Sequence, residues 1–282
     1  MRSEFQEKQA GDGPIAVGGI GGGGTRIFAD FLRRCGVYIG SDLNTPLDNL
    51  WFTLLFKRRS VLAEDQRDLA TLYAGFAEKM ATGRFPPGLK RKVERLAMRS
   101  EHEHPPEWFA ERSRTLFETH EPAVARWGWK EPNTHILAER LLELDRRLRY
   151  VHVVRHPLDI ASSSNNNQLR LWGEVFLDDA SGSHFARKLD YWCKVQTTAE
   201  AVRDRFPERC IIVRYEDMVT HTEASATFLS SVLGVRLSPE ALADYRGTLT
   251  PPDFASRWDQ EEVSRMSAAD IRFASARGYV LA

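Results

Sequence analysis

Cysteine is scarce in this chain, and long apolar segments are missing from it. The three cysteines, Cys35, Cys193 and Cys210, are odd in number and lack the spacing of a metal site, which argues against a disulfide framework. The first 13 residues are polar, and no uninterrupted apolar run of about 18 residues follows them. We therefore expect a cytoplasmic protein without a membrane segment.

An excess of charge of either sign is also missing. The 39 basic and 39 acidic side chains cancel over 282 residues. This balance gives no long-range attraction for nucleic acid or for a membrane surface, so neither is expected as a partner. With 42% hydrophobic residues, the chain can build one α/β domain. We interpret residues 1–13 as a disordered lead and residues 14–282 as a single domain.

Glycine is concentrated in one place, since residues 18–24 contain six glycines in seven positions. An apolar stretch at residues 14–17 precedes them, and Phe28, Phe31 and Leu32 follow at the spacing of one helix face. The pattern predicts a strand that passes through a glycine turn into a helix. Such a turn presents backbone N–H groups at a helix N-terminus and favours phosphate binding. The candidate ligands are Gly21, Gly22, Gly23, Gly24 and Thr25.

Other interpretations of this loop stay open. A flexible surface loop would have the same composition. A nucleoside triphosphate loop, G-x-x-x-x-G-K-[ST], would use Gly19 and Gly24, but Thr25 and Arg26 stand where its lysine and hydroxyl residue belong. A dinucleotide fingerprint also fits formally, although a run of glycines satisfies almost any glycine spacing.

A second segment predicts another anion ligand. Residues 148–154 are rich in β-branched and aromatic residues, and Arg155 follows them directly. Pro157 suits the first turn of a helix, so residues 157–172 are interpreted as one helix with Ser163 about two turns from its start. A strand end and the following helix would then bring Arg155 and Ser163 to the same anion.

The order of these elements predicts the fold class. Strands at residues 148–154 and 209–214 alternate with helices at 184–206 and 223–233, whereas residues 45–126 are mostly helical in pattern. This order predicts an α/β fold, a three-layer parallel sheet with helices on both faces. It is similar to the P-loop nucleotide-binding fold, with a helical insertion after the first βα unit. Ligands of such sheets bind at the carboxyl ends of the strands.

Four blocks of the sequence, taken together, resemble the sulfotransferases that use 3′-phosphoadenosine 5′-phosphosulfate (PAPS). They are the glycine loop with Thr25, WKEPNTHIL at 129–137, VVRHPLDIASS at 153–163, and VRYEDM at 213–218. The resemblance implies that Arg155 and Ser163 hold the 3′-phosphate of PAPS. It also implies that Lys130 reaches the 5′-phosphate or the transferring sulfate.

Two weaker likenesses extend this set of donor ligands. Tyr215 of the last block is implied to lie near the adenosine or the end of the sheet, with a largely structural role. Arg277 and Gly278 are similar to a basic-glycine segment that closes over the 3′-phosphate, although a frayed chain end would explain them equally well.

The loop departs from the family at one position. Family members carry a lysine or arginine before the small-Gly-Thr-Thr core, and here Gly22 occupies that place. Negative charge develops on the bridging oxygen as sulfate leaves, so another electrostatic stabiliser is needed. Lys130 and Arg26 are the candidates, together with the backbone N–H groups of the loop.

Sulfate transfer also needs a general base, because the acceptor loses a proton as it attacks sulfur. In one branch of the family an acidic residue beyond the loop has this role, and by resemblance Asp42 is the first candidate. As an alternative, Ser41 and Asp42 are residue types typical of turns, so Asp42 could have a structural role only. Other branches use a histidine, which makes His135 the second candidate, with a half-buried helix residue as its alternative.

The sequence thus predicts transfer of a sulfuryl group from PAPS to a hydroxyl or amine acceptor, a small molecule or a carbohydrate. The reaction would be an in-line displacement without a metal ion. Two alternatives stay open: a kinase-like enzyme that uses a nucleoside triphosphate, and a non-catalytic member of the fold that only binds nucleotide. The sequence does not indicate the oligomeric state.

Overall fold

The computed structural model describes residues 13–98, 104–120, 126–178, 181–250, 258, 260–264 and 266–281. Residues 1–12 of the predicted disordered lead lie outside this set. The strands are β1 (Ile15–Gly19), β2 (Gly128–Lys130), β3 (Arg149–Val154) and β4 (Cys210–Arg214). The helices are α1 (Thr25–Arg34), α2 (Leu50–Phe56), α3 (Gln66–Thr82), α4 (Lys90–Ala97), α5 (Pro106–Phe117), α6 (Ala138–Leu144), α7 (Pro157–Ala161), α8 (Asn167–Phe176), α9 (His184–Arg205), α10 (Tyr215–Thr220), α11 (Thr222–Leu233), α12 (Pro239–Thr248), α13 (Gln260–Ser264) and α14 (Ala268–Ser275). Short 3-10 helices span Arg59–Ala63, Pro87–Leu89 and Pro132–Ile136.

The four strands form one parallel sheet in the order β2-β1-β3-β4. In the register of the central pair, Gly19 at the end of β1 lies beside Val153 of β3. Lys130 pairs with Val17 on the other side of β1, and Val154 pairs with Arg214 of β4. Because all strands run the same way, their carboxyl ends meet at one edge of the sheet.

Alternate strand residues point into two separate cores. Ile15, Val17 and Val151 belong to the core beneath α1, α11 and α12. Ala16 and Tyr150 belong to the larger core formed with the helices of residues 45–126, α6 and α9. Since strand side chains alternate between faces, helices cover both sides of the sheet, and the predicted three-layer α/β class is confirmed.

Residues 45–126, in the part that the structure describes, form helices α2 to α5 and two of the 3-10 helices. The aromatic residues of α2 pack inside this layer: Trp51, Phe52 and Phe56 are at most 2% exposed. Phe52 stacks on Trp129 with ring centroids 5.5 Å apart. These rings therefore belong to the core.

One predicted helix is wrong. Residues 157–172 form α7 and α8, with a break at residues 162–166. In the break the Ser163 hydroxyl accepts the Asn165 N–H at 3.1 Å, and the Asn165 side chain accepts the Asn167 N–H at 3.2 Å. Short polar side chains compete for backbone N–H groups in this way and interrupt helices. Ser163 consequently lies in a turn beyond the helix end.

The three cysteines are free thiols, and burial raises the pKa of each to about 12. Across the described helices, none combines the length and the apolar character needed to cross a bilayer. Within the same residues, no group of three or more His, Cys, Asp or Glu side chains is arranged to hold a metal ion. The cellular compartment stays a prediction.

Candidate functional site

The glycine loop joins β1 to α1 and turns through left-handed backbone conformations at Gly22 and Gly24, where φ is 87° and 81°. The Tyr215 ring, at the start of α10, packs against Gly24. A Cβ at Gly24 would lie 2.1 Å from a carbon of this ring. Glycine at this position is therefore required both by the backbone conformation and by the neighbouring aromatic ring.

Gly24→Ala should destabilise the protein more than Gly36→Ala. Both glycines are left-handed, with φ of 81° and 77°, but a Cβ at Gly36 meets nothing within 4 Å. The free energy of unfolding of the Gly36 variant should fall only by the backbone strain, about 1–2 kcal/mol. The Gly24 variant must also displace Tyr215. Thermal unfolding of both proteins measures the difference, and equal losses would contradict the packing described here.

Several backbone N–H groups of the loop are free to bind an anion. Gly21 donates to the Gln168 side chain at 2.9 Å, and Gly23 donates to the Ile20 carbonyl at 2.9 Å. The N–H groups that bond to no described residue, and thus stay available at the start of α1, are those of Gly22, Gly24, Thr25 and Arg26. Together with the positive end of the helix dipole, they form a cradle for a phosphate or sulfate oxygen.

Gln168 of α8 holds this loop in shape. Its side-chain amide is 5% exposed, accepts the Gly21 N–H, and donates to the Gly19 carbonyl at 3.2 Å. One side chain therefore fixes the backbone where β1 enters the loop. Gln168 could not be predicted from the sequence, because a glutamine in a helix carries no signal of a contact almost 150 residues away in the chain.

Arg155 and Ser163 meet the loop at Gly22. The Arg155 Nη1 donates to the Gly22 carbonyl at 3.0 Å, and its guanidinium lies 4.5 Å from the centre of the Tyr215 ring. A Cβ at Gly22 would lie 3.0 Å from the Ser163 hydroxyl. Arg155 also forms an ion pair with Asp159 one helical turn later, with 2.7 Å between Nη2 and Oδ2. The structure therefore brings together the loop, Arg155, Ser163 and Tyr215.

Lys130 ends β2 at the same edge of the sheet and is 2% exposed. Its ammonium forms an ion pair with Asp48 and donates to the Pro46 carbonyl at 3.0 Å. Between these two partners lies Leu47, where φ is 67°; among the described residues no other non-glycine residue has positive φ. Strained backbone is most common at functional sites, and here it presents two acceptors to one ammonium.

Asp48 is a site residue that the sequence analysis missed. Its side chain is 19% exposed, and its second oxygen accepts the Asn44 amide at 2.8 Å. The carboxylate is therefore held in place but still reachable from solvent. No motif marks Asp48 in the sequence; it follows Pro46-Leu47 and precedes Asn49, which caps α2.

Asp42, the first candidate base, points into the helical layer. Its carboxylate accepts the Thr115 hydroxyl and lies 3.1 Å from the Arg112 guanidinium, both on α5. With its side chain 11% exposed, Asp42 tethers the segment after α1 to α5. None of its described contacts is with the loop, Lys130 or Arg155.

His135, the second candidate base, has both ring nitrogens in use. Nδ1 donates to the Pro132 carbonyl at 2.8 Å, and Nε2 accepts the Tyr191 hydroxyl at 3.1 Å. Burial lowers the pKa of His135 to about 4, so the imidazole is neutral at pH 7. This geometry fits a structural role that orders the 3-10 helix after Lys130.

Of the remaining predicted residues, Arg26 is available to a ligand, whereas Arg277 already has a partner within the protein. Arg26 is exposed on the first turn of α1 and bonds to no described residue, so it is free to reach a ligand at the loop. Arg277 instead forms an ion pair with Glu200 at 2.6 Å and lies over the Phe273 ring. Gly278 is left-handed, and a Cβ at this position would lie 3.5 Å from the Arg214 Nη1. The role assigned to Arg277 and Gly278 stays a prediction.

Solved structures of sulfotransferases have similar architecture. STF9 from Mycobacterium avium matches with a TM-score of 0.50 and 17% identity, covering 95% of this chain and 76% of that one. At this identity the likeness shows the fold alone. STF1 from Mycobacterium tuberculosis H37Rv gives a TM-score of 0.49 and 14% identity, with 94% and 77% covered. The sulfotransferase domain of the Synechococcus PCC 7002 olefin synthase gives 0.47 and 17%, with 99% and 100% covered.

Comparison with curated protein sequences finds no match. The family model described as the sulfotransferase family matches residues 14–239. This range includes β1 to β4, the glycine loop, Lys130, Arg155 and Ser163. Because the match spans most of the sequence and all four strand ends, the chain belongs to the sulfotransferase family.

Proposed function

We propose that this protein transfers the sulfuryl group of PAPS to a hydroxyl or amine of a small-molecule or carbohydrate acceptor. The observation that carries the proposal is the convergence of free loop N–H groups, Lys130, Arg155 and Ser163 at one edge of the sheet. These groups are suited to an elongated ligand with anionic groups at two positions. Family membership supports sulfate transfer as the reaction.

The two ends of the site suit the two ends of PAPS. The free N–H groups of the loop would bind the 5′-phosphosulfate, since they lie at a helix N-terminus. Arg155 and the Ser163 hydroxyl would bind the 3′-phosphate. Arg155 and Ser163 both lie next to Gly22. Because glycine has no side chain, there is room beside them for the ligand.

Bound at this edge, PAPS would supply an activated sulfuryl group whose leaving group is adenosine 3′,5′-bisphosphate. The acceptor oxygen forms a bond to sulfur while the bond from sulfur to the 5′-phosphate oxygen breaks. Asp48 is the base that we assign to the acceptor proton, because its carboxylate is reachable from solvent and lies beside Lys130, the group assigned to the departing oxygen. Lys130, Arg26 and the loop N–H groups stabilise the charge on the departing oxygen.

The direct test has two stages. Adenosine 3′,5′-bisphosphate should raise the unfolding temperature of the protein, and ATP with magnesium should not. Transfer of labelled sulfate from PAPS to a panel of hydroxyl and amine acceptors then tests the reaction. If ATP with magnesium stabilises the protein and the bisphosphate does not, the kinase-like alternative is favoured. Stabilisation by the bisphosphate without transfer to any acceptor would favour the non-catalytic alternative.

Arg155→Ala should weaken the binding of adenosine 3′,5′-bisphosphate by roughly tenfold to a hundredfold, because a charged hydrogen bond contributes about 1.5–3 kcal/mol. Calorimetric titration measures the loss. Arg33→Ala, at an exposed position of α1, is the control and should bind normally. Since Asp159 is 3% exposed and loses its cation in the variant, the unfolding temperature is measured as well. A folded Arg155 variant with unchanged affinity would contradict the assignment.

A further inference from the structure

A buried lysine lies behind the proposed 3′-phosphate site. Lys188 of α9 is 4% exposed, and its ammonium donates to the Ser163 carbonyl. Among the described residues this is its only hydrogen-bond acceptor, and no carboxylate there forms an ion pair with it. Lys188 thus carries a buried positive charge next to Ser163 without a counter-ion in the described part of the chain.

Such a charge is costly to keep inside a protein. Removing an ammonium from water is strongly unfavourable unless an opposite charge or further hydrogen bonds replace the lost hydration. One carbonyl satisfies only one of the three N–H donors of a lysine. In agreement with this, burial lowers the pKa of Lys188, and no carboxylate raises it. An anionic ligand at this point would remove much of the cost.

The helix that carries Lys188 also fixes Arg155. Trp192 lies one turn after Lys188 on α9, and its indole N–H donates to the Arg155 carbonyl at 3.0 Å. One face of α9 therefore contacts the backbone of both residues assigned to the 3′-phosphate. Ser163 in turn packs against Gly22 of the loop. Lys188 is consequently part of the same local assembly.

The charge balance of this assembly needs an additional cation. Arg155 is already neutralised by Asp159, which is 3% exposed. A phosphate monoester carries a charge of about −1.5 to −2 at pH 7. The ion pair of Arg155 and Asp159 offers directed hydrogen bonds but no net positive charge, whereas Lys188 offers a full one.

We propose that Lys188 binds the 3′-phosphate of the donor together with Arg155 and Ser163. The ammonium keeps its hydrogen bond to the Ser163 carbonyl and uses its remaining N–H donors for the phosphate. This inference rests on the proposed function, because it assumes a 3′-phosphorylated adenosine as the ligand.

The test compares adenosine 3′,5′-bisphosphate with adenosine 5′-monophosphate, which lacks the 3′-phosphate. Lys188→Gln removes the charge while its amide can still donate to Ser163. This variant should bind the bisphosphate roughly tenfold to a hundredfold more weakly than the wild type. Its affinity for the monophosphate should be unchanged. Lys194→Gln, with an exposed side chain on the same helix, should bind both nucleotides as the wild type does.

The outcomes separate this inference from the proposed function. A wild type that does not prefer the bisphosphate over the monophosphate would overturn the proposed function. A wild type with the preference, and a Lys188→Gln variant that keeps it or loses affinity for both nucleotides equally, would overturn the role of Lys188 alone. If the variant does not fold, the wild type labelled at lysine Cε with carbon-13 replaces it. The Lys188 signal, assigned with Lys188→Arg, should then shift with the bisphosphate and not with the monophosphate; no shift would reject the role.

Discussion

Asp48→Asn should lower kcat by about 10²–10⁴-fold, the usual contribution of a general base. The affinity for adenosine 3′,5′-bisphosphate should change much less than kcat, because the Asp48 side chain contacts Lys130 and Asn44 and reaches the nucleotide only through Lys130. The substitution preserves the shape of the side chain. Steady-state sulfate transfer with an acceptor of the wild type measures kcat, and calorimetry measures the affinity.

Asp42→Asn is the matched control for this experiment. Asp42 is held by Thr115 and Arg112, so its substitution should lower the unfolding temperature and leave kcat close to that of the wild type. The opposite pattern, with a fall in kcat for Asp42→Asn and none for Asp48→Asn, would support Asp42, the base that the sequence predicted.

Asp48 also contacts Lys130, so a fall in kcat has a second explanation: a misplaced ammonium. The acidity of the acceptor separates the two. If Asp48 removes the proton, acceptors with more acidic hydroxyls need less help, and the deficit of Asp48→Asn should shrink along such a series. A deficit that is the same for every acceptor would assign Asp48 to the positioning of Lys130.

Lys130→Met should lower kcat by about 10²–10³-fold, the loss seen when one group that stabilises a developing negative charge is removed. Lys130 is the last residue of β2, and the glycine loop offers no lysine of its own. The affinity for adenosine 3′,5′-bisphosphate should fall as well, because the departing oxygen stays on the 5′-phosphate of this product. An unchanged turnover rate would exclude the catalytic role of Lys130.

Lys130→Arg is the control for charge, since it keeps the cation with a different shape. Arginine can keep an ion pair with Asp48, so this variant should retain more activity than Lys130→Met. Because Lys130 and Asp48 are in contact, the double variant Lys130→Met with Asp48→Asn should lose less than the product of the two single losses. The comparison requires that the single and double variants all have the unfolding temperature of the wild type.

Three of the four strands could be predicted from the sequence, whereas β2 was not, and Lys130 at its end was identified only through the family resemblance. The glycine loop, Lys130, Arg155 and Tyr215 each lie at or just beyond the end of a strand. A strand is marked by a short run of β-branched and aromatic residues, and the parallel sheet aligns all carboxyl ends at one edge. The position of these residues thus depends on local sequence and on one rule of topology.

The environment of Ser163 could not be predicted with the same reliability. The residue itself was identified, but the helix expected around it ends at Ala161, because Ser163 and Asn165 bind backbone N–H groups of the turn. Helix periodicity continues through this segment, and only the competition between side-chain and helical hydrogen bonds decides the outcome.

By itself, the sequence determined the fold class, three of the four strands, and the glycine loop and Arg155 at their ends, because short-range patterns specify them. Only the tertiary structure decided which carboxylate faces Lys130, which amide braces the loop, and which buried ammonium lies behind Ser163. Asp48, Gln168 and Lys188 acquire these partners through contacts between segments 25 to about 150 residues apart. No local pattern encodes such contacts, since they depend on how separate helices pack against the sheet.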